Sequence, residues 1–551
     1  MRSGLFVAAA AALLATPVVA LAADPPVVFQ TQPVGKLLDD LRAVGSLLGG
    51  ETAVKELNDN IKRNLGEKGF DGLDLTRPIV GYVMVPADVE QFIVVVVLPA
   101  TGEKEFLDLC ERANKQKPKP LPGGLYELPP ADLGVPGIKA AMRFADGSAY
   151  VAAGKDPAPA LAPKALLPVG KLFDPAERAQ LSGKVYFDRL PKDLRAKLGQ
   201  GIDDLKKQIG SLPAQLGPDV NEAVKGVIAE FTKLGTRYLD EIKDADTATG
   251  RVSLEPGNAE AAVELALTGK AGTALAKDIA GRKPTTNRFA GLVTKDTAVG
   301  FKTRLPLFAP ELRAAAALGL EAGQKYAAKN PPPIGAGAVD ELFKGLIRTV
   351  KTGEFDLAGG VRGPNTDGTF TAVGAVAFED TKPLEKELRG LVAALPPLKD
   401  MVVLDAAKVG EVNIHEVKVA GQMPAEMKKV FGEGATVALA FAPKGILVAV
   451  GSDAVNVVKE ALALKPAPAP VMDVTINPAR MAKLVTAFGG NATDITDTLG
   501  SGDAPVSVSS LSVDGGKDLR VRFALNLRVF PGRAWASSKP PPAPPTPGIK
   551  K

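Results

Sequence analysis

The chain has 551 residues, enough for several domains of ordinary size, and 46% of them are apolar, enough for real cores. Aromatic residues make up 5%, with Trp535 the sole tryptophan, which argues against the stacked aromatic platforms of carbohydrate- or single-strand-binding surfaces. The formal charge is +5, of which one unit is Arg2 and four are Arg533, Lys539, Lys550 and Lys551; the rest is neutral, so the basic balance is a tail effect and no nucleic-acid footprint.

Met1 and Arg2 precede an apolar stretch from Leu5 to Leu21, broken by Pro17 and closed by Ala20-Leu21-Ala22. A short positive region, an apolar core and an A-x-A site predict a cleavable secretory signal over residues 1–22. Residue 23 is Ala, so no lipid-bearing Cys follows the cleavage point. No later stretch is apolar for the roughly 20 residues a transmembrane anchor needs. The expectation is an exported, soluble protein, periplasmic or extracellular.

The first strand is expected at Val28-Phe29, ending near Pro33, with Leu37, Leu38 and Leu41 continuing at helical spacing. A hairpin follows: Ile79 to Val85, a turn at Pro86-Ala87-Asp88, and Phe92 to Leu98. The last strand is almost wholly apolar, a pattern that suits cover on both faces. Phe106, Leu109 and Cys110 share a helical segment; the one cysteine of the chain forms no internal disulfide and is read as buried and inert. Strands are expected at Leu125–Leu128 and Ala140–Ala145, then a turn at Asp146-Gly147-Ser148 and a strand through Val151.

Repeats organise the remainder. Ala140 to Asp156 aligns without gaps on Val437 to Asp453 at an offset of 297, and Leu125-Tyr126-Glu127-Leu128 matches Ile414-His415-Glu416-Val417. Hairpins opening at Gly250-Arg251-Val252 and Gly359-Gly360-Val361 correspond at an offset of 109, with bends at Pro256-Gly257-Asn258 and Pro364 to Gly368. A further hairpin bends at Asp514-Gly515-Gly516. Short strands before Pro33, Pro191, Pro306 and Pro478 each lead into helical segments, since proline suits a first helical turn.

The fold expected is α+β and internally duplicated: antiparallel-rich sheets with helices packed on them, in a repeat unit of strand, two helices, hairpin and helix. The domains expected are a signal peptide (1–22), a first long unit (23–170), a first short unit (171–285), a second long unit (286–467), a second short unit (468–532) and a disordered, proline-rich basic tail (533–551). This pattern resembles large exported bacterial proteins of unknown function in which strand–helix–hairpin units recur after a signal peptide. The resemblance is architectural and implies no active site.

Candidate chemistry is sparse. His415 is the only histidine, and with one distant cysteine it makes no zinc site of the usual kind. It is read as a polar-tipped strand position matching Tyr126; a Ser–His–acid triad around it lacks the G-x-S-x-G elbow. Asp244, Asp246 and Glu255 fall at positions 1, 3 and 12 of a calcium loop, but Thr249 stands where Gly is required. Asn491-Ala492-Thr493 is read as a turn before a helix. No phosphate loop appears, and no catalytic residue, metal or cofactor is assigned. The sequence suggests one binding feature: Arg520, Arg522 and Arg528, with Asn526, on one side of an alternating strand, which reads first as a solvated outer face and otherwise as a row able to bind an anion. The function expected is a non-catalytic interaction or scaffold protein of the cell envelope, whose partner is an anionic envelope component or another protein and not a nucleic acid. The alternative is a carrier of an apolar, lipid-like ligand.

Overall fold

The structure is a computed structural model describing residues 24–85, 92–129, 137–215, 222–282, 284–305, 307–330 and 336–529. The signal segment, the turn at Pro86-Ala87-Asp88, Pro306 and the tail from 533 on lie outside the described residues. The fold is a large α+β one with extensive antiparallel sheet and packed helices. Its contacts divide it into two compact units, one of residues 24–183, 251–261 and 526–529, the other of residues 184–250 and 262–525.

In the first unit β1 (Val27–Pro33) runs into α1 (Val34–Leu65), which reverses at Gly50. Gly50 has φ of 62°, a left-handed backbone that glycine adopts without cost. Arg42 Nε then donates to Asn58 Oδ1 at 3.2 Å across the two arms. There follow β2 (Pro78–Met84), β3 (Ile93–Pro99), α2 (Glu103–Asn114), β4 (Lys119–Leu121), β5 (Leu125–Glu127), β6 (Lys139–Ala145), β7 (Ser148–Gly154) and α3 (Val169–Leu172). The strands pair antiparallel in the order β1–β2–β3–β7–β6–β5–β4. On one face Val80, Tyr82, Val95, Tyr150 and Ala152 are buried with Leu161 and Leu172. The other face carries Met142 and Ala149 under Phe106 and Leu109 of α2. Cover of β3 on that second face is incomplete: Val94, Val96 and Leu98 are half-buried while Ile93, Val95 and Val97 are buried. The apolar run therefore does not mean full burial on both sides, because α2 shields its face only in part.

Strands β8 (Leu181–Tyr186), β9 (Ala245–Glu255) and β10 (Glu260–Gly269) have residues in both units, with α4 (Lys192–Gln215) and α5 (Glu222–Ile242) between the first two. The second unit continues with α6 (Ala274–Gly281), β11 (Thr286–Asn287), β12 (Thr297–Arg304), α7 (Pro310–Lys329), α8 (Ala336–Thr352), β13 (Asp356–Arg362), β14 (Thr371–Ala377), α9 (Lys382–Ala394) and α10 (Pro396–Met401). It ends with β15 (Val402–Val409), β16 (Val412–Lys418), α11 (Ala425–Phe431), β17 (Thr436–Ala442), β18 (Gly445–Gly451), α12 (Ala454–Leu462), β19 (Ala467–Pro468), β20 (Met472–Ile476), α13 (Pro478–Ala487), α14 (Thr493–Leu499), β21 (Val506–Asp514) and β22 (Leu519–Asn526). Its ladder is antiparallel in the order β15–β16–β17–β18–β14–β13–β12–β20–β21–β22. Helix α12 closes one face with Val457 and Val458 over Ala438, Ala440, Leu447 and Ala449. Helices α4, α5, α7 and α8 form a row in which each touches the next.

Followed through the pairing, the two ladders share strand order and register. Phe29–Gly81–Val96–Val151–Met142–Tyr126 face one another across β1, β2, β3, β7, β6 and β5. Phe301–Gly359–Gly374–Val448–Leu439–His415 do so across β12, β13, β14, β18, β17 and β16. In each, a phenylalanine ring lies over a glycine of the next strand; a Cβ on Gly81 would stand 2.2 Å from Phe29 Cζ, and one on Gly359 3.2 Å from Phe301 Cε1. Phe144 and Phe441 both sit one residue before the end of a strand that closes at a tight turn, the first half-buried and the second buried. Val252 and Val361 do not open their hairpins: β9 and β13 begin at Ala245 and Asp356, and in β13 Asp356, Leu357 and Ala358 already pair with β12. Of the four prolines expected to lead into helices, Pro478 opens α13, Pro33 caps α1 and Pro191 directly precedes α4, whereas α7 opens at Pro310.

Candidate functional site

The densest polar cluster forms around His415. The side chain is fully buried on β16, beside Phe441 of β17 with ring centroids 6.0 Å apart. Glu385 and Arg389 reach it from α9, where a spacing of four residues puts both on one face. Asp405 comes from β15, where the register with β16 slips between Val403 and Ala407 and Asp405 takes φ of 58°. That bulge turns its backbone N–H onto the imidazole, donating to Nδ1 at 3.2 Å.

With Nδ1 accepting, the proton of the neutral ring belongs on Nε2, which lies 3.2 Å from Glu385 Oε1 and donates to it. Arg389 closes the cluster. Its Nη2 donates to Glu385 Oε1 at 2.7 Å, and Nη1 donates to Asp405 Oδ2 at 2.8 Å. The charges follow. Burial, then the Arg389 charge, pushes the His415 pKa down, so the ring is neutral near pH 7. Burial raises the Glu385 carboxyl, but hydrogen bonds from Arg389 and Asn413 outweigh it and hold the group below the usual carboxylate range. Asp405 is held low chiefly by its Arg389 hydrogen bonds, and Arg389 is pushed up by the same contacts.

Glu385, Asp405 and His415 bring three possible ligand atoms within 4.8 Å of one another. In this arrangement the guanidinium already supplies the positive charge, bridging both carboxylates. A metal on Nε2 would need the ring proton moved to Nδ1, facing the Asp405 N–H. The chemistry the site performs as built is to lock a neutral imidazole between an edge strand and a helix. His415 does sit on a strand with a polar tip, as Tyr126 does in the other ladder, but the tip meets no solvent, because α9 and the bulge cover it.

The matching site in the first unit is simpler. Tyr126 of β5 donates its hydroxyl to Glu103 Oε1 at 2.6 Å, and Phe144 stands edge-on to its ring at 6.0 Å. Cys110 on α2 is partly buried with its thiol pushed up to about 11 by burial, unsuited to nucleophilic work. An open groove of about 680 Å³ lies in this unit, lined by Leu38, Asp39 and Arg42 of α1 and by Phe70, Asp71 and Glu105.

Arg520 and Arg522 stand on one face of β22, opposite Asp514 and Ser512. Arg520 is held by Asp518 at 2.9 Å. The strand ends at Asn526, so Arg528 lies in the following 3-10 turn and does not extend the row. Asp246 and Glu255 lie along the extended strand β9 just after Asp244, and a straight strand does not close round an ion. Asn491 does make a turn before α14, its Oδ1 accepting from the Thr493 N–H at 3.0 Å.

Compared with protein-family models, curated proteins and solved structures, the chain matches none. Among the described residues no helix is long and apolar enough to cross a membrane.

Proposed function

We propose that this chain is an exported, non-catalytic interaction or scaffold protein of the cell envelope. One observation supports the reading most. Helix α4 ends the helical row, and large apolar side chains on it and on α5 meet solvent at helical spacing: Leu198 is 45% exposed and Leu205 43%, Val224 47% and Phe231 52%. None of the residues of α5 is buried. An open pair of amphipathic helices suits a partner that lays its own amphipathic helix against them. The basic C-terminal sequence, Arg533 to Lys551, adds attraction toward an anionic envelope component. The shared order and register of the two ladders favour descent by internal duplication, in the repeat scheme read from the sequence.

The second reading, a carrier of an apolar lipid-like ligand, draws on the strands: Val263 and Leu265 of β10 and Phe523 of β22 are also exposed. Two measurements separate the two. The chain should sediment with an envelope fraction, and Leu198→Asp with Phe231→Asp should leave it in the supernatant without changing its far-UV dichroism. Equal sedimentation of the double variant would overturn the helical docking face. A stoichiometric lipid found by mass spectrometry of the purified native protein would favour the carrier.

A further inference from the structure

We propose that His415 is a proton-sensitive latch on the edge strand β15, released when the imidazole takes a second proton. Among the described residues β15 pairs on one side alone, with β16, and its regular register is interrupted at the bulge that carries Asp405. Two devices hold the bulge: the Asp405 N–H on His415 Nδ1, and the Arg389 bonds to the Asp405 carboxylate. The first exists only while Nδ1 keeps its lone pair. A proton there sets an N–H against an N–H on a side chain fully shielded from solvent, and a buried donor that loses its acceptor is costly. The freed Nδ1–H has one acceptor in view, Asp405 Oδ1 at 3.9 Å, which Arg389 already bonds; closing that gap moves the Asp405 carboxylate, and the bulge that carries it, out of its place under the guanidinium. Protonation therefore works against both devices at once.

The groups facing the ring are Glu385 and Arg389 from α9 and Asp405 from β15; β17 contributes the uncharged Phe441. Both carboxylates are held below their ordinary range by Arg389, so mild acid reaches the imidazole first. Opening of residues 402–409 exposes the ring to solvent, where it takes the proton at its ordinary value near 6.5. The same opening bares the edge of β16, whose N–H and C=O groups are then free to pair with another strand.

The test is amide hydrogen exchange of the full chain at pH 7.5, 6.5 and 5.0, corrected for intrinsic rates, with β13 and β14 as internal reference. Linkage at a group of pKa about 6.5 gives an opening equilibrium for 402–409 that rises up to about 30-fold between pH 7.5 and 5.0. The reference strands should not show this rise. His415→Gln keeps one donor and one acceptor without a titrating ring, and its profile should be flat. Should His415→Gln not fold, His415→Tyr, which installs the residue of the matching position, serves in its place. A flat profile in the natural chain, or the same slope in the folded variant, would overturn the latch.

Discussion

Tyr126 and His415 occupy the same place in two ladders of equal strand order, each beside a phenylalanine of the neighbouring strand and each bonded to a glutamate of a helix. Their surroundings differ. In the first unit the strand beyond is β4, three exposed residues long. In the second it is β15, eight residues long with a bulge that carries Asp405 over the ring. Tyr126 keeps its hydroxyl near solvent, and its carboxylate partner Glu103 has no arginine in the pair. His415 is fully buried and needs a partner for each ring nitrogen, plus a cation to balance two acids. A polar ring is buried where the edge strand is long enough to cover it and where every polar atom it carries meets an acceptor or donor.

That contrast can be broken most sharply at Arg389. Arg389→Ala leaves Glu385 and Asp405 without their shared cation, and thermal unfolding should report a loss of about 2 kcal/mol, less than the roughly 3–5 kcal/mol of a fully buried pair because Arg389 is a third and Asp405 half exposed. Acid should act next. The His415 pKa is lower folded than unfolded, so the unfolded chain binds the proton more readily; the stability it contributes is full above pH 6.5 and is lost as pH falls below that value. The slope in denaturant titrations should reach at most about 1.4 kcal/mol per pH unit, and should vanish in His415→Gln. The glycines in the register sharpen the comparison on the apolar side. Gly81→Ala forces the Phe29 ring aside and should cost about 1–2 kcal/mol. Gly374→Ala meets nothing closer than 3.7 Å and should be nearly neutral in the same melts. The smallest effect belongs to Tyr126→Phe, which removes an exposed hydrogen bond and should shift stability by under about 0.5 kcal/mol.

Much of the ladder was legible in the chain. The match of Tyr126 with His415 came from local alternation just upstream of the gapless stretch at an offset of 297, and their ladder partners Met142 and Leu439 fall within that stretch. Hairpin bends were readable because turn residues mark them locally. The Phe29–Gly81 and Phe301–Gly359 pairs were not, since a ring lying over a glycine joins segments about fifty residues apart. The cluster at His415 escaped for the same reason. Glu385 and Arg389 at helical spacing resemble any solvated ion pair, and nothing local says that α9 folds onto β16 or that β15 slips its register to aim Asp405. The arginine row failed at its end because alternation continues in the sequence past Asn526 while the strand stops there.

One measurement reaches the centre of this account. The chain has a single histidine, so protein carrying ¹⁵N-labelled histidine gives one imidazole spin system. The geometry predicts a neutral ring protonated at Nε2 at pH 7.5, with that state persisting below pH 6.5. A ring protonated at Nδ1, or one already charged at pH 7.5, would contradict it.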